Sequence, residues 1–321
     1  MISVDSIDSD RQSEYVEVMP ALTGRIAATQ SGFCFREVLE KSPRWSWIIA
    51  IVVLLGSAMI YLIVSIASAM VAMLISSGSG DESGSLISTQ SVGRMMRDRS
   101  GFALTLLIPQ LSLLILPVFA TLLAPQAFLS RLMLRRGHWP LWGWIAAIGA
   151  TPLIALSSSI VLGLFQSESE QLTLLTEVFR FHATSGFLVP LILLVGLTPA
   201  ICEEILFRGF LQPLLIRLTR PGWGILFSAM AFALFHLDPV HVVGVFPLGL
   251  WLGYLSYQSG SLIPAMLAHL CNNVLSILLV MDEGAGVLDL PSVLETISIV
   301  LSGILGLAGV AYLNRTTTTS S

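Results

Sequence analysis

The longest apolar run of the chain, residues 46–76, contains no Asp, Glu, Lys, Arg or His. A membrane-spanning helix needs about 20 apolar residues, so a helix over this whole run must tilt or extend beyond the hydrocarbon core. Similar runs recur along the 321 residues, of which only 11% are charged, whereas soluble domains average about 25%. These features predict an all-α, polytopic membrane protein that lies in a lipid bilayer and has no sizeable soluble domain.

The apolar runs predict eight transmembrane helices. Their approximate limits are 46–76, 102–124, 141–165, 185–207, 222–237, 240–258, 261–281 and 292–313. We expect a functional site on the fourth, fifth and seventh of them. The domain organisation that follows is a polar N-terminal tail (1–44), the first three helices with their loops (45–184), a core (185–281), and the last helix with a polar C-terminal tail (282–321).

The distribution of Lys and Arg outside the helices predicts the orientation. Most of these residues lie on the side of the N-terminus, which predicts that both termini are cytoplasmic. The exceptions are Arg94, Arg97, Arg99 and Arg180, which fall on the opposite side, and the first three of them lie close to the second helix. The net charge is only −4 and no basic cluster is present, so we expect no nucleic-acid partner.

The cysteines indicate neither a disulfide framework nor a metal site. They are widely spaced, odd in number, and form no CxxC pair, which is the spacing that such sites need. We therefore expect Cys202 and Cys271 to act as small apolar packing residues.

The ionisable groups at membrane depth are confined to three clusters. A charged side chain near the bilayer centre costs about 2.5–3.5 kcal/mol on insertion scales, and the first three helices contain none. This segregation is typical of a buried polar site. The clusters are EEILFR with Glu203, Glu204 and Arg208, then FALFH with His236, and HLCNN with His269, Asn272 and Asn273.

Helical geometry divides the first cluster. Glu204 and Arg208 are four residues apart and share one face, so they are expected to pair. Glu203 is rotated by about 100° from its neighbour, which leaves it free to face a cavity and act as a general base on water. The alternative is that all three residues only lock helices together through buried ion pairs. Pro199 precedes the cluster and is expected to kink the helix, leaving backbone groups for a polar cavity to satisfy.

The histidine clusters are open to two interpretations. A single histidine such as His236 on an apolar helix is commonly a packed core residue. His269 and Asn273 are four residues apart, so their donors project together, as an oxyanion requires. The conjunction of three clusters favours a site over three separate packing roles.

Taken in order, the three clusters match known motifs. EEILFR fits EExxxR, FALFH fits FxxxH, and HLCNN, which follows GSLIP, fits HxxxN. Over about residues 185–281 the chain resembles the CAAX prenyl endopeptidase and bacteriocin-processing family, also called the CPBP or Abi family. The resemblance implies an all-helical intramembrane protease that uses glutamate chemistry without a metal ion or other cofactor. By position it implies that Glu203 and His236 activate water, His269 and Asn273 stabilise the oxyanion, and Glu204 and Arg208 support the site.

Several alternatives remain beside this interpretation. Two histidines and a carboxylate could bind zinc, but no HExxH is present and the nearby Arg208 would repel a cation, so we expect no metal. A scaffold or a bacteriocin-immunity protein could use the same cavity to bind a partner. A transporter with Glu203 as its titrating group would more often show repeated halves. The expected partner is a peptide or protein substrate, and the sequence does not decide whether it is prenylated.

Overall fold

The computed structural model describes residues 43–76, 89–122, 132–165, 169–281 and 293–318. The chain divides into two compact units, Met1–Ser42 and Pro43–Ser321. The first unit, which holds most of the predicted N-terminal tail, lies outside the described residues. The described part of the second unit is helical and contains no strand. Its helices are α1 (Pro43–Ser76), α2 (Thr89–Arg97), α3 (Arg99–Ser112), α4 (Ile115–Leu122), α5 (Leu141–Phe165), α6 (Glu170–Leu218), α7 (Pro221–Leu234), α8 (Pro239–Ser259), α9 (Ile263–Val280) and α10 (Val293–Thr318).

The all-α, multi-pass membrane fold predicted from the sequence is confirmed. Each of the eight predicted segments is helical over most of its length. Within the described residues, two apolar helices, Pro221–Leu234 and Ile299–Leu313, are shorter than a full span, so the count of eight stays a prediction. The segments long and apolar enough to cross a bilayer are Ser46–Ser76, Arg99–Leu122, Leu141–Ser158, Glu170–Leu218, Pro239–Ser259 and Ile263–Val280.

The predicted second helix, 102–124, is divided into α3 and α4 at residues 113 and 114. The cause is Pro117, which has no N–H for the carbonyl of Leu113 and whose ring would clash with that carbonyl in a continuous helix. The break leaves Gln110 in the last turn of α3. This position becomes important for the site.

The predicted fourth helix, 185–207, is the middle of the much longer α6. A polar first part extends it upstream, beginning after Ser169, whose hydroxyl accepts a hydrogen bond from the N–H of Leu172 at 3.2 Å. The helix is kinked at Gly186, which has a φ of 80°, a conformation that favours glycine. Charged and polar side chains in this first part made it resemble a loop in the sequence.

Three wide π-helical turns interrupt α6, at Ala183–Phe187, Ile192–Leu197 and Ile205–Leu211. A proline removes the hydrogen bond to the carbonyl four residues before it and crowds that carbonyl. In each case the residue four positions before a proline falls inside a π-helical turn, where the wider backbone relieves the clash. The pairs are Gly186 with Pro190, Val195 with Pro199, and Gly209 with Pro213.

The helices pack in two groups around α6. α5 lies against α8, α9 and α10, and their shared core contains Trp251 and Leu252. α1 packs on α3, and a second core that includes Leu206, Phe207 and Phe232 joins α1, α6 and α7. α6 therefore lies between α3 and α9, with its two glutamates in the interior.

Arg97 and Arg99, which are predicted to lie on the side opposite to most Lys and Arg residues, contact aromatic rings in the first part of α6. The guanidinium of Arg97 lies 5.6 Å from the ring centroid of Phe181, and that of Arg99 lies 5.6 Å from the ring centroid of Phe187. Arg99 also donates a hydrogen bond to the carbonyl of Ser185 at 2.6 Å. Such cation–π contacts hold α2 and α3 against the kinked part of α6. The orientation of the termini stays a prediction.

A glycine at the contact between α5 and α10 gives a direct test of this packing. A Cβ atom at Gly306 would lie 2.5 Å from the carbonyl oxygen of Ala146 and 2.5 Å from the amide nitrogen of Ala150. We expect Gly306→Ala to lower the free energy of unfolding by about 1–3 kcal/mol because the helices must separate. Thermal unfolding of purified protein in detergent measures the effect.

Gly93→Ala is the matched control, because a Cβ at Gly93 meets no atom within 4 Å. Alanine in a helix interior is favoured over glycine by about 0.5–1 kcal/mol, so this variant should be as stable as the parent or more so. Equal melting temperatures for the two variants would contradict the α5–α10 contact.

Candidate active site

Glu203 and Glu204 are adjacent in the α-helical stretch Thr198–Glu204 of α6, and their side chains leave the helix in different directions. Glu204 is completely buried and Glu203 is 9% exposed. Glu203 contacts α3, and Glu204 contacts Arg208 on the same helix and His269 on α9. Two carboxylates at this depth need partners, because an unpaired buried charge is very costly.

Glu204 is paired with Arg208, as their spacing predicts. The Nη1 of Arg208 donates to Oε1 of Glu204 at 2.9 Å, and both side chains are fully buried. The Nη2 of Arg208 donates to the carbonyl of Gly249 on α8 at 2.9 Å. The guanidinium also lies 4.3 Å from the ring centroid of Phe232 on α7. One arginine therefore joins α6, α7 and α8.

His269 on α9 contacts both glutamates. Its Nδ1 lies 3.0 Å from Oε1 of Glu204, and its Nε2 lies 3.9 Å from Oε2 of Glu203. Because a carboxylate oxygen only accepts, Nδ1 is the nitrogen that carries hydrogen. A neutral ring then presents a bare Nε2 toward Glu203, whereas a protonated ring donates from both nitrogens.

Glu203 has a second partner that the sequence analysis missed. The side-chain amide of Gln110, on α3, donates from Nε2 to Oε1 of Glu203 at 2.9 Å. Gln110 is uncharged, and the predicted helix 102–124 contains no charged residue or histidine that would mark a polar site. The signal available in the sequence was a single Gln within the apolar run LTLLIPQLSLLIL.

His236 lies just beyond the end of α7 and is half-buried. Among the described residues, no hydrogen bond or ion pair joins it to Glu203. Its ring packs edge-on against Phe232, with centroids 5.3 Å apart, and Phe232 in turn packs edge-on against His269 at 5.7 Å. His236 thus belongs to the same cluster through an aromatic contact, while His269 is the imidazole beside the glutamates. The predicted pairing of Glu203 with His236 stays a prediction.

The turn that carries His236 is fixed by Asp238. One oxygen of this carboxylate accepts a hydrogen bond from the backbone N–H of His241 at 2.7 Å, and the other accepts one from the hydroxyl of Ser169 at 2.6 Å. These hydrogen bonds, first that from Ser169, lower the pKa of Asp238 below its ordinary value. The stabilisation is therefore present above about pH 4, the unfolded value, and is lost as the pH falls through the lowered pKa.

Asn273 on α9 is held by the backbone of α6. Its Nδ2 donates to the carbonyl of Val195 at 3.1 Å, and its Oδ1 accepts from Nδ2 of Asn272 at 3.2 Å. Val195 is the residue whose carbonyl Pro199 cannot bond, so Asn273 satisfies a backbone group that the proline leaves free. An amide has two N–H groups, and Asn273 therefore retains one further donor.

Removing the positive charge of Arg208 tests the buried ion pair. Arg208→Met leaves Glu204 charged and without its guanidinium partner, and loss of one partner of a buried pair costs about 3–5 kcal/mol. We expect a large fall in melting temperature in detergent. Glu204→Gln combined with Arg208→Met removes both charges and should be more stable than Arg208→Met alone. Equal melting temperatures for Arg208→Met and the double variant would show that losing one partner of the ion pair does not have this cost in stability.

The comparisons with known proteins agree with the motifs. Residues 185–275 match the family model described as type II CAAX prenyl endopeptidase Rce1-like. Comparison with curated proteins and with solved structures found no significant match. The matched range contains the EExxxR, FxxxH and HxxxN motifs and ends before the last turns of α9. It supports the family expected from the sequence: residues 185–275 carry a domain that matches the Rce1-like type II CAAX prenyl endopeptidases.

Proposed function

We propose that this protein is a metal-independent intramembrane endopeptidase in which Glu203 is the catalytic carboxylate. One observation carries the proposal. Oε2 of Glu204 is buried and has no hydrogen-bond partner among the described residues, whereas Glu203 is 9% exposed and its Oε2 lies 3.9 Å from Nε2 of His269. Glu203 thus keeps an oxygen available for water in a buried site, which is what a general base requires.

In the proposed reaction, Glu203 takes a proton from water, with His236 assisting at the same water. The resulting hydroxide oxygen bonds to the carbonyl carbon of the scissile peptide, and the C=O electron pair moves to oxygen. The C–N bond then breaks, and the leaving nitrogen takes the proton back from Glu203. Atoms and charge balance without any other reactant.

The oxyanion is proposed to accept hydrogen bonds from His269 and Asn273. His269 donates from Nε2 only when the ring is protonated, because Nδ1–H is directed at Glu204. Asn273 donates the amide hydrogen that Val195 does not use. Glu204 and Arg208 support the site because they hold His269 and the surrounding helices in place. With His269 and Asn273 already positioned as donors, the barrier to reaction is lowered without any rearrangement of the site.

The family implies a peptide substrate in a membrane setting. We propose that the bond cleaved lies near the C-terminus of a lipidated or membrane-associated peptide, on the cytoplasmic side. We also propose residues 185–281 as the catalytic core, preceded by the helices of 45–184 and followed by 282–321.

Neutralising Glu203 tests its role. We expect Glu203→Gln to lower kcat for a quenched peptide ending in a farnesylated CAAX sequence by at least about 10³-fold, because the amide cannot take the proton from water. Purified protein in detergent or nanodiscs is assayed by fluorescence. The control is Glu177→Gln, which changes an exposed glutamate on the same helix and should keep full activity.

Undiminished turnover by Glu203→Gln would remove Glu203 from the mechanism. Absence of cleavage by the parent protein, across farnesylated and unlipidated peptides, would instead favour a non-catalytic scaffold or immunity function.

Metal independence is tested with chelators. We expect cleavage to be unchanged after dialysis against EDTA and 1,10-phenanthroline, because the guanidinium of Arg208 occupies the position at Glu204 where a cation would bind. Loss of activity that added Zn²⁺ restores would overturn the proposed chemistry.

A further inference from the structure

We propose that Gln110 on α3 is a positioning residue for the carboxylate of Glu203, an inference that rests on the proposed function. Neither the three motifs nor the matched range 185–275 contains this residue. Its amide Nε2 donates to Oε1 of Glu203 at 2.9 Å, across the packing between α3 and α6.

The hydrogen bond fixes the plane of the Glu203 carboxylate. Gln110 holds Oε1, and the other oxygen, Oε2, lies 3.9 Å from Nε2 of His269. A carboxylate can rotate about its last bond with little cost, so without Gln110 this plane would not be fixed. The amide therefore sets the direction in which Glu203 meets a water molecule.

The chain supports Gln110 in this position. It lies in the last turn of α3, directly after Pro109 and before the break that Pro117 causes, and it is half-buried. The hydroxyl of Ser112 donates to the carbonyl of Pro109 at 2.6 Å, which stabilises the end of the helix. The Oε1 of Gln110 has no hydrogen-bond partner among the described residues, so the side chain also offers an acceptor to a polar group in the site.

A second glutamine provides a matched control. Gln212 on α6 is buried, and its Nε2 donates to the carbonyl of Gly253 at 2.9 Å and to the hydroxyl of Ser256 at 3.0 Å. Its Oε1 also has no partner among the described residues. The two glutamines thus differ in their acceptor: Gln110 contacts the proposed catalytic carboxylate, whereas Gln212 joins helices through neutral groups.

One consequence concerns the extent of the active site. Residues 185–275 hold all the family motifs, yet the carboxylate proposed for catalysis is oriented from α3. The helices before the matched range therefore contribute to the chemistry in addition to anchoring the protein in the membrane.

The first test is kinetic and uses the full chain with the quenched farnesylated CAAX peptide. Gln110→Met keeps the length of the side chain and removes the donor. We expect kcat to fall about 10- to 100-fold with KM nearly unchanged, because a hydrogen bond to a charged group contributes about 1.5–3 kcal/mol. Gln110→His retains an N–H donor and should recover part of the loss. Gln212→Met should lower the melting temperature and leave kcat close to that of the parent.

The second test does not depend on activity. Dicyclohexylcarbodiimide modifies protonated carboxyl groups in apolar surroundings, and mass spectrometry of the peptide with both glutamates locates the adduct. The amide of Gln110 occupies one oxygen of Glu203, so Gln110→Met should increase labelling of Glu203 several-fold. Gln212→Met should not change it.

The two tests separate the two proposals. If the parent cleaves no peptide, the proposed function fails, and labelling alone decides the role of Gln110. Unchanged labelling of Glu203 in Gln110→Met would overturn the positioning role. A fall in kcat that is equal in Gln110→Met and Gln212→Met would overturn it as well, because it would reflect stability alone.

Discussion

The buried ion pair between Glu204 and Arg208 is the interaction on which the rest of the site depends. Both side chains are fully buried, and Arg208 reaches from α6 to the backbone of α8 and the ring of Phe232 on α7. Glu204 in turn lies 3.0 Å from His269 on α9. A buried pair contributes little net stability compared with apolar packing, but it strongly penalises any arrangement that separates its members. It therefore fixes how four helices meet.

Prolines shape the same helices through the backbone. In α6 each π-helical turn contains the carbonyl that a following proline leaves without its usual N–H. At Val195 that carbonyl accepts a hydrogen bond from Asn273, so a proline in α6 leaves free a backbone group that binds the side-chain amide of α9. In the second span, Pro117 ends α3 just beyond Gln110. Irregular backbone within a membrane is tolerated where protein groups satisfy it, and here those irregularities coincide with the polar cluster.

The ordered motifs predicted more of the site than any single cluster. Helical spacing predicted the contact between Glu204 and Arg208, since four residues return to one face. Spacing could not predict contacts between helices. The structure places His269 beside the two glutamates, whereas the ring of His236 packs on Phe232, which in turn packs on His269. Gln110 was missed because a single uncharged side chain in an apolar run is a weak signal, and its partner is 93 positions away in the chain.

The sequence by itself determined the class of fold and the family that residues 185–275 match. Uncharged runs of about 20 residues or more are typical of membrane-spanning helices, because a helix bonds its backbone polar groups within its own segment. The three motifs, in order, were sufficient to identify the Rce1-like domain. The tertiary structure decided the length of α6, the break between α3 and α4, and the partners of Glu203. These depend on which helices pack together, and packing between distant segments is a property of the folded chain rather than of any local pattern.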